Sequence, residues 1–211
     1  CDKVKDFNLN MFLSCSPAMN TEPEFLDAIA KAGAKSMYTV FASDPFSKAF
    51  FEKSPRYLQK CIDLVKMLED RGIRFFGSFG IGWDFQDEST FDYILEYCNK
   101  AGVKTAEFFI ATPFPNTPFW KQIEDENRFI LPRNWKKYNC ANVVFKPKNM
   151  SEEKLRDGFI YLWKEFFKTK DHADSLSSFH QKLDNIMKSK EYSQQVKDSI
   201  KKGMENAGYK V

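Results

Sequence analysis

Along residues 8–110, short apolar runs alternate with longer stretches whose apolar residues fall three and four apart. Residues 8–16, 36–43 and 73–83 read as strands, and so does the first half of the stretch from Lys104 to Trp120. Amphipathic stretches lie between them. One begins at Thr21 and Glu24, which have the spacing of a capping box with Pro23 in the first turn. It turns Phe25, Leu26, Ile29 and Ala30 inward and stops at Gly33. A second runs from Pro55 to Asp70 with Leu58, Cys61, Ile62, Val65 and Leu68 on one stripe. A third, from Ser89 to Lys100, carries Phe91, Ile94, Leu95 and Cys98 inward.

The joints repeat. Lys31-Ala-Gly-Ala-Lys35, Asp70-Arg-Gly-Ile-Arg74 and Lys100-Ala-Gly-Val-Lys104 each pass from helix to strand. Glycine ends the helix, and a nearby basic side chain complements the negative end of its dipole. Strands separated by helices in this rhythm predict right-handed crossovers and a parallel sheet. The expected fold class is α/β; a closed eight-stranded barrel takes about 250 residues, so residues 1–120 read as an open arc or as a partial TIM-type (β/α) barrel whose first units are absent. Its first strand would present an unpaired edge that invites association.

Beyond the fourth strand, Pro113, Pro115 and Pro118 remove backbone donors and fix φ, so neither strand nor helix is expected there. Ligands bind at the carboxyl ends of parallel strands, and this stiff corner reads as one wall of a small-molecule site. Gly77, Gly80 and Gly82 mark the third strand. They suit either a close approach to the backbone or a bulged, strongly twisted strand, and their spacing is not a phosphate fingerprint.

Residues 121–211 read as a C-terminal loop and helical region. Residues 121–149 are loop-like. Ser151 reads as an N-cap ahead of Glu152 and Glu153. Leu155, Phe159, Leu162, Trp163, Phe166 and Phe167 give the following helix a broad apolar face. Residues 173–188 and 192–207 read as two further helices.

Composition changes the picture in a few places. Twenty-two phenylalanines supply an aromatic core or a ring-lined cavity. With 32 basic and 29 acidic residues the net charge is +3. That points to no nucleic-acid partner, and the Lys-rich tail reads as a solvated face. No apolar run is long enough to span a membrane, and a cytoplasmic location is expected. The cysteines at 1, 15, 61, 98 and 140 match no close-spaced metal motif. Their scatter suits a reducing compartment, and no metal ligand is assigned. His172 and His180 do not share a helix face at ligand spacing. Asp84, Asp87 and Glu88 suit acid–base work, or, for Asp87 and Glu88, helix entry, and Lys146 and Lys148 suit an anion or plain surface. The chain starts at Cys1, not Met, and reads as a piece of a longer protein whose upstream part is its partner.

Gly77-Ser-Phe-Gly-Ile-Gly-Trp-Asp84, Thr112-Pro-Phe-Pro-Asn-Thr-Pro118 and Val143-Val-Phe-Lys-Pro-Lys-Asn-Met-Ser151 together resemble a known group. They look like the G-S-F-x-x-G-[FW]-D, T-P-x-P-G-T-P and V-V-F-x-P-K-x-M-S motifs of radical S-adenosylmethionine (SAM) enzymes that commonly carry an upstream cobalamin-binding domain. The resemblance covers roughly residues 10–168. It implies SAM and a [4Fe–4S] cluster held by a CxxxCxxC motif absent from these residues, with cobalamin in an upstream domain. The implied chemistry is radical modification or methyl transfer on a small organic or lipid substrate.

By position, the resemblance marks Phe79, Gly82, Ile110 and Thr112 as cofactor-side candidates, joined by Gly77 and Ser43. It assigns no catalytic residue. Where family members often end the second strand G-F-E-S, this chain has Val40-Phe41-Ala42-Ser43. Ala42 cannot supply a carboxylate, and Ser43 is a weaker substitute. Asn116 replaces a loop glycine, a mild change because Asn tolerates left-handed geometry. The alternative is a non-catalytic relative that binds a ligand or partner. An ordinary barrel lyase would need a lysine at a strand's carboxyl end, whereas Lys104 sits at the other end.

Overall fold

The computed structural model describes residues 3–16, 22–41, 53–168 and 193–206, with positions 181, 185 and 187–189. Ala42, Ser43, Thr21, His172 and His180 lie outside the described residues, as does most of the helix expected over 173–188. The chain divides into two compact units, Cys1–Phe166 and Phe167–Val211.

The first unit holds strands β1 (Met11–Cys15), β2 (Ala34–Phe41), β3 (Arg74–Ile81) and β4 (Ala106–Ile110). They lie in the order β1-β2-β3-β4, and every neighbouring pair is parallel. The expected α/β class is therefore the observed one. The crossovers contain α1 (Pro23–Lys31), α2 (Pro55–Glu69) and α3 (Ser89–Ala101). At the joints Gly33, Gly72 and Gly102 adopt φ of +106°, +70° and +71°, a left-handed region open to glycine. Each helix can therefore stop and the chain turn at once into a strand.

The two faces of the sheet differ by residue parity. Met37, Thr39 and Phe41, then Phe75, Gly77, Phe79 and Ile81, then Ala106, Phe108 and Ile110 form the covered face, and all are buried. The helices pack on this face. Phe79 stacks on Phe41 with ring centroids 4.9 Å apart, and Tyr97 of α3 meets both rings edge-on. Leu64, Val65 and Leu68 of α2 and Ile94 of α3 complete the core. Phe12, Tyr38, Phe76, Glu107 and Phe109 point the other way and stay partly exposed, Phe12 by 61%. β1 is the sheet edge and has no fully buried residue.

Several expectations need correction. In α1 the capping position is Glu22, without a side-chain cap, and Phe25 is exposed rather than inward. A helix, α4 (Pro118–Asp125), starts inside the proline-rich corner. Proline is tolerated at the first helical position because that N–H has no helical partner anyway. Thr117 caps it, its hydroxyl accepting from the Trp120 N–H at 3.2 Å. The expected cap at Ser151 forms: its hydroxyl accepts from the Lys154 N–H at 3.1 Å and starts α5 (Glu152–Phe166). Leu155, Leu162 and Phe166 of α5 are buried, and Phe108 of β4 meets Trp163 and Phe166 edge-on. The second unit contains α6 (Gln194–Asn206), close to the helix expected over 192–207.

Candidate functional site

The carboxyl end of β3 is held by Gln86, a residue that no motif or periodicity singles out. Gln86 is 1% exposed. Its Oε1 accepts from the backbone N–H of Gly82 (2.8 Å) and Trp83 (3.2 Å), and its Nε2 donates to the Gly80 carbonyl at 3.1 Å. The amide group replaces the ladder where the strand leaves the sheet. Gly82 turns the corner at φ +92°, and a Cβ there would stand 2.8 Å from Leu155.

The space beside the other two glycines is also filled from within the protein. A Cβ on Gly77 would stand 2.7 Å from the Phe79 ring. One on Gly80 would stand 2.8 Å from both the Phe109 ring and the Trp83 indole nitrogen. Of the two sequence readings, close approach is the one observed, with aromatic rings as the approaching groups.

Asp84, the next motif position, joins three segments distant in sequence. Its carboxylate takes both terminal nitrogens of Arg128 at 2.7 and 2.9 Å, Gln122 Nε2 at 2.7 Å and Lys148 Nζ at 3.0 Å. Arg128 and Lys148 also reach Glu126, at 2.7 and 2.8 Å. Asn149 Nδ2 donates to the Asp84 carbonyl at 2.7 Å. Burial works against the Asp84 charge, but hydrogen bonds from Arg128 and Lys148 outweigh it and hold the carboxyl below its ordinary range. Lys148, and then Arg128, pull Glu126 down to about 2. The β3 exit, the segment after α4 and the tail motif thus meet in one charged knot. Asp84 and Lys148 are thus ion-paired with each other, and with Arg128 and Glu126 respectively.

Beneath the knot lies a second apolar cluster of Ala111, Ile123, Phe129, Val144 and Phe145, against which Trp83, Phe119, Trp120 and Tyr138 pack. The Trp83 indole N–H and the Tyr138 hydroxyl are buried there without a hydrogen-bond partner among the described residues. Leaving such a group unsatisfied costs about 1–3 kcal/mol.

On the open face, Tyr38, Ser78 and Glu107 form a triangle. Tyr38 Oη and Ser78 Oγ lie 2.5 and 2.7 Å from Glu107 Oε1 and 2.9 Å from each other. Burial, and then the Glu107 carboxylate, raise the Tyr38 phenol, so it stays a proton donor. Phe12 and Phe76 flank the Tyr38 ring at 5.9 and 5.3 Å.

The candidates named from the sequence fall in different places. The side chains of Phe79 and Ile110 and the Cα hydrogens of Gly77 lie on the covered face, away from this triangle. The Gly82 N–H is taken by Gln86, and the Ile110 N–H by the Cys140 carbonyl at 2.8 Å. The Thr112 hydroxyl donates to the Ile110 carbonyl at 3.0 Å and is buried. Open-face residues were readable as polar side chains, Tyr38, Ser78 and Glu107, within otherwise apolar strands. Gln86 carried no such signal, being one polar residue in a polar turn.

Among the described residues no group of His, Cys, Asp and Glu could hold a metal ion. No described helix is long and apolar enough to cross a membrane.

A four-stranded parallel sheet with crossover helices defines the chain as an α/β architecture. Comparison with known proteins narrows this. No protein-family model matches the chain. Over 148 residues it is 28% identical to bacteriochlorophyllide d C-12(1)-methyltransferase of Chlorobaculum tepidum, covering 70% of this chain and 32% of that protein. Over 159 residues it is 28% identical to an uncharacterized methyltransferase of Pyrococcus horikoshii, covering 72% and 33%. Among solved structures it is similar to the radical SAM methyltransferase TsrM of Kitasatospora setae, at 21% identity and a TM-score of 0.47 over 56% of this chain and 23% of that one. The chain is thus related in sequence to methyltransferases and spans about one third of the length of the curated relatives it matches.

Proposed function

We propose that these residues form the C-terminal half of a radical SAM enzyme that transfers a methyl group to, or otherwise modifies, a small organic or lipid substrate. The relationship to methyltransferases supports methyl transfer. The observation that carries the finer reading is the charged knot. It draws two of the three motif segments, 77–84 and 143–151, together with the segment containing Arg128, to the strand-end side of a parallel sheet.

The chain's own residues do not fit an iron–sulfur cluster, since none of the described ones gather three ligands. In this reading the cluster, and a cobalamin domain, belong to the upstream part of the same protein. No SAM contact is assigned among the described residues either: the Trp83 N–H is buried, and it and the Phe109 ring already fill the space beside Gly80. SAM supplies the transferable methyl group or the radical precursor. This chain's share is to bind, orient and exclude water.

The test is anaerobic reconstitution of the full-length protein with iron and sulfide, followed by assay for 5′-deoxyadenosine and for SAM binding. Formation of 5′-deoxyadenosine is the expected result. A folded, reconstituted protein that neither binds nor cleaves SAM overturns it.

One observation favours a second reading, that of a non-catalytic binding relative. The N–H groups of Gly82 and Ile110 and the Thr112 hydroxyl are all committed within the protein. The same assay separates the two readings.

A further inference from the structure

From the triangle on the open face we infer that Glu107 is the recognition carboxylate of a ligand site. The ligand class is a flat apolar molecule bearing an amine or a ring N–H. The inference deepens the reading above by naming a ligand chemistry, and it rests on that reading for calling the ligand a substrate.

Proton counting comes first. Tyr38 and Ser78 have one hydroxyl proton each, and both hydroxyls converge on Glu107 Oε1. Oε2 receives no hydrogen bond from any described residue, and Glu107 makes no ion pair among them. Two hydroxyls fix the carboxylate in place while half of its accepting capacity stays open. Such a group matches a donor, and a cationic donor best.

The surroundings supply the rest. Glu107 lines a cavity of about 470 Å³ at the outer edge of β4, bounded by Tyr38 and Phe109 of the open face, by Asn139 and Cys140 at the edge, and by Phe108 and Trp163 of the helix side. That volume suits a small organic molecule. The loop at Asn139–Cys140 closes the outer edge of β4, where the Cys140 carbonyl accepts from the Ile110 N–H. The Asn139 Oδ1 is already committed, accepting from the Ala141 N–H and from Asn142 Nδ2. The walls thus offer aromatic rings for a flat body and one open acceptor for its polar end.

The probes are three naphthalenes of one shape: 1-naphthylmethylamine, 1-methylnaphthalene and 1-naphthaleneacetate. Their affinities for the full chain are measured by calorimetric titration. The amine is expected to bind about tenfold or more tightly than the neutral ring, and the acid more weakly than either. Glu107→Gln keeps the size and the hydrogen bonds from Tyr38 and Ser78, and should erase the amine's preference. Equal affinities for amine and acid in the wild type, which need no variant, would overturn the inference, as would amine binding unchanged in Glu107→Gln. The outcome is separable from SAM chemistry. Amine binding without 5′-deoxyadenosine leaves this site standing and removes the enzyme reading, while the converse removes this site alone.

Discussion

The two faces of the β1–β4 sheet are built from the same strands, one residue out of step, yet they follow opposite rules. On the covered face every residue from Met37 through Ile110 is buried, and rings pack on rings. On the open face polar groups interrupt the rings, and Tyr38, Phe76, Glu107 and Phe109 keep partial exposure. The period of two along a strand separates the jobs: one parity holds the fold, and the other is free to hold a ligand.

The comparison is broken most sharply at Phe79. Its ring is 1% exposed and touches Phe41, Tyr97 and Phe108. Phe79→Ala leaves a cavity between sheet and helices and should cost about 3–5 kcal/mol, read as a lower urea midpoint. If Phe79 served a ligand rather than the core, stability would barely move while SAM affinity fell. That result would exchange the roles assigned to the two faces.

A smaller effect is expected at the knot, which belongs to neither face. Arg128 has a side chain only 10% exposed, and Asp84 one 21% exposed. Asp84→Asn removes the charge facing Arg128 and Lys148 and should cost about 1–2 kcal/mol, between the surface and buried limits for ion pairs. The pH dependence follows from the depressed carboxyls. A group whose pKa is lowered on folding adds stability above its unfolded value and loses it as pH falls through its folded value. The wild type should therefore weaken from the ordinary carboxyl range near pH 4 down toward the Glu126 value of about 2. Asp84→Asn should flatten the upper part of that decline, measured by thermal unfolding between pH 5 and 2. An unchanged slope would mean that the knot contributes nothing to acid sensitivity.

Much of the fold was legible because glycine and periodicity act locally. The three Gly joints and the stripes of α2 and α3 need no tertiary knowledge, and they fixed four parallel strands in order. α4 was missed because three prolines were read only as breakers, although Thr117 and Pro118 form a cap and first turn. Phe25 was placed inward on periodicity, but an isolated aromatic can face solvent at little cost. The site was less legible. Motif spacing along β3 and β4 does not say which way each side chain points, and Phe79 and Ile110 lie on the helix side. The Asp84–Arg128 pair, 44 positions apart, exists only once the fold has brought its members together.

The smallest expected effect is the one that sharpens the contrast. Tyr38→Phe keeps the ring between Phe12 and Phe76 and removes only the hydroxyl at Glu107. On a buried face, deleting a donor to a carboxylate would leave an unsatisfied charge. Here Glu107 keeps Ser78 at 2.7 Å and lies partly exposed, so water can replace the lost donor. The stability change should be under about 1 kcal/mol. Naphthylmethylamine affinity should still fall severalfold, because the carboxylate is less firmly aimed. A urea midpoint as low as that of Phe79→Ala would show that the triangle is structural, and that neither parity of the sheet is free for a ligand.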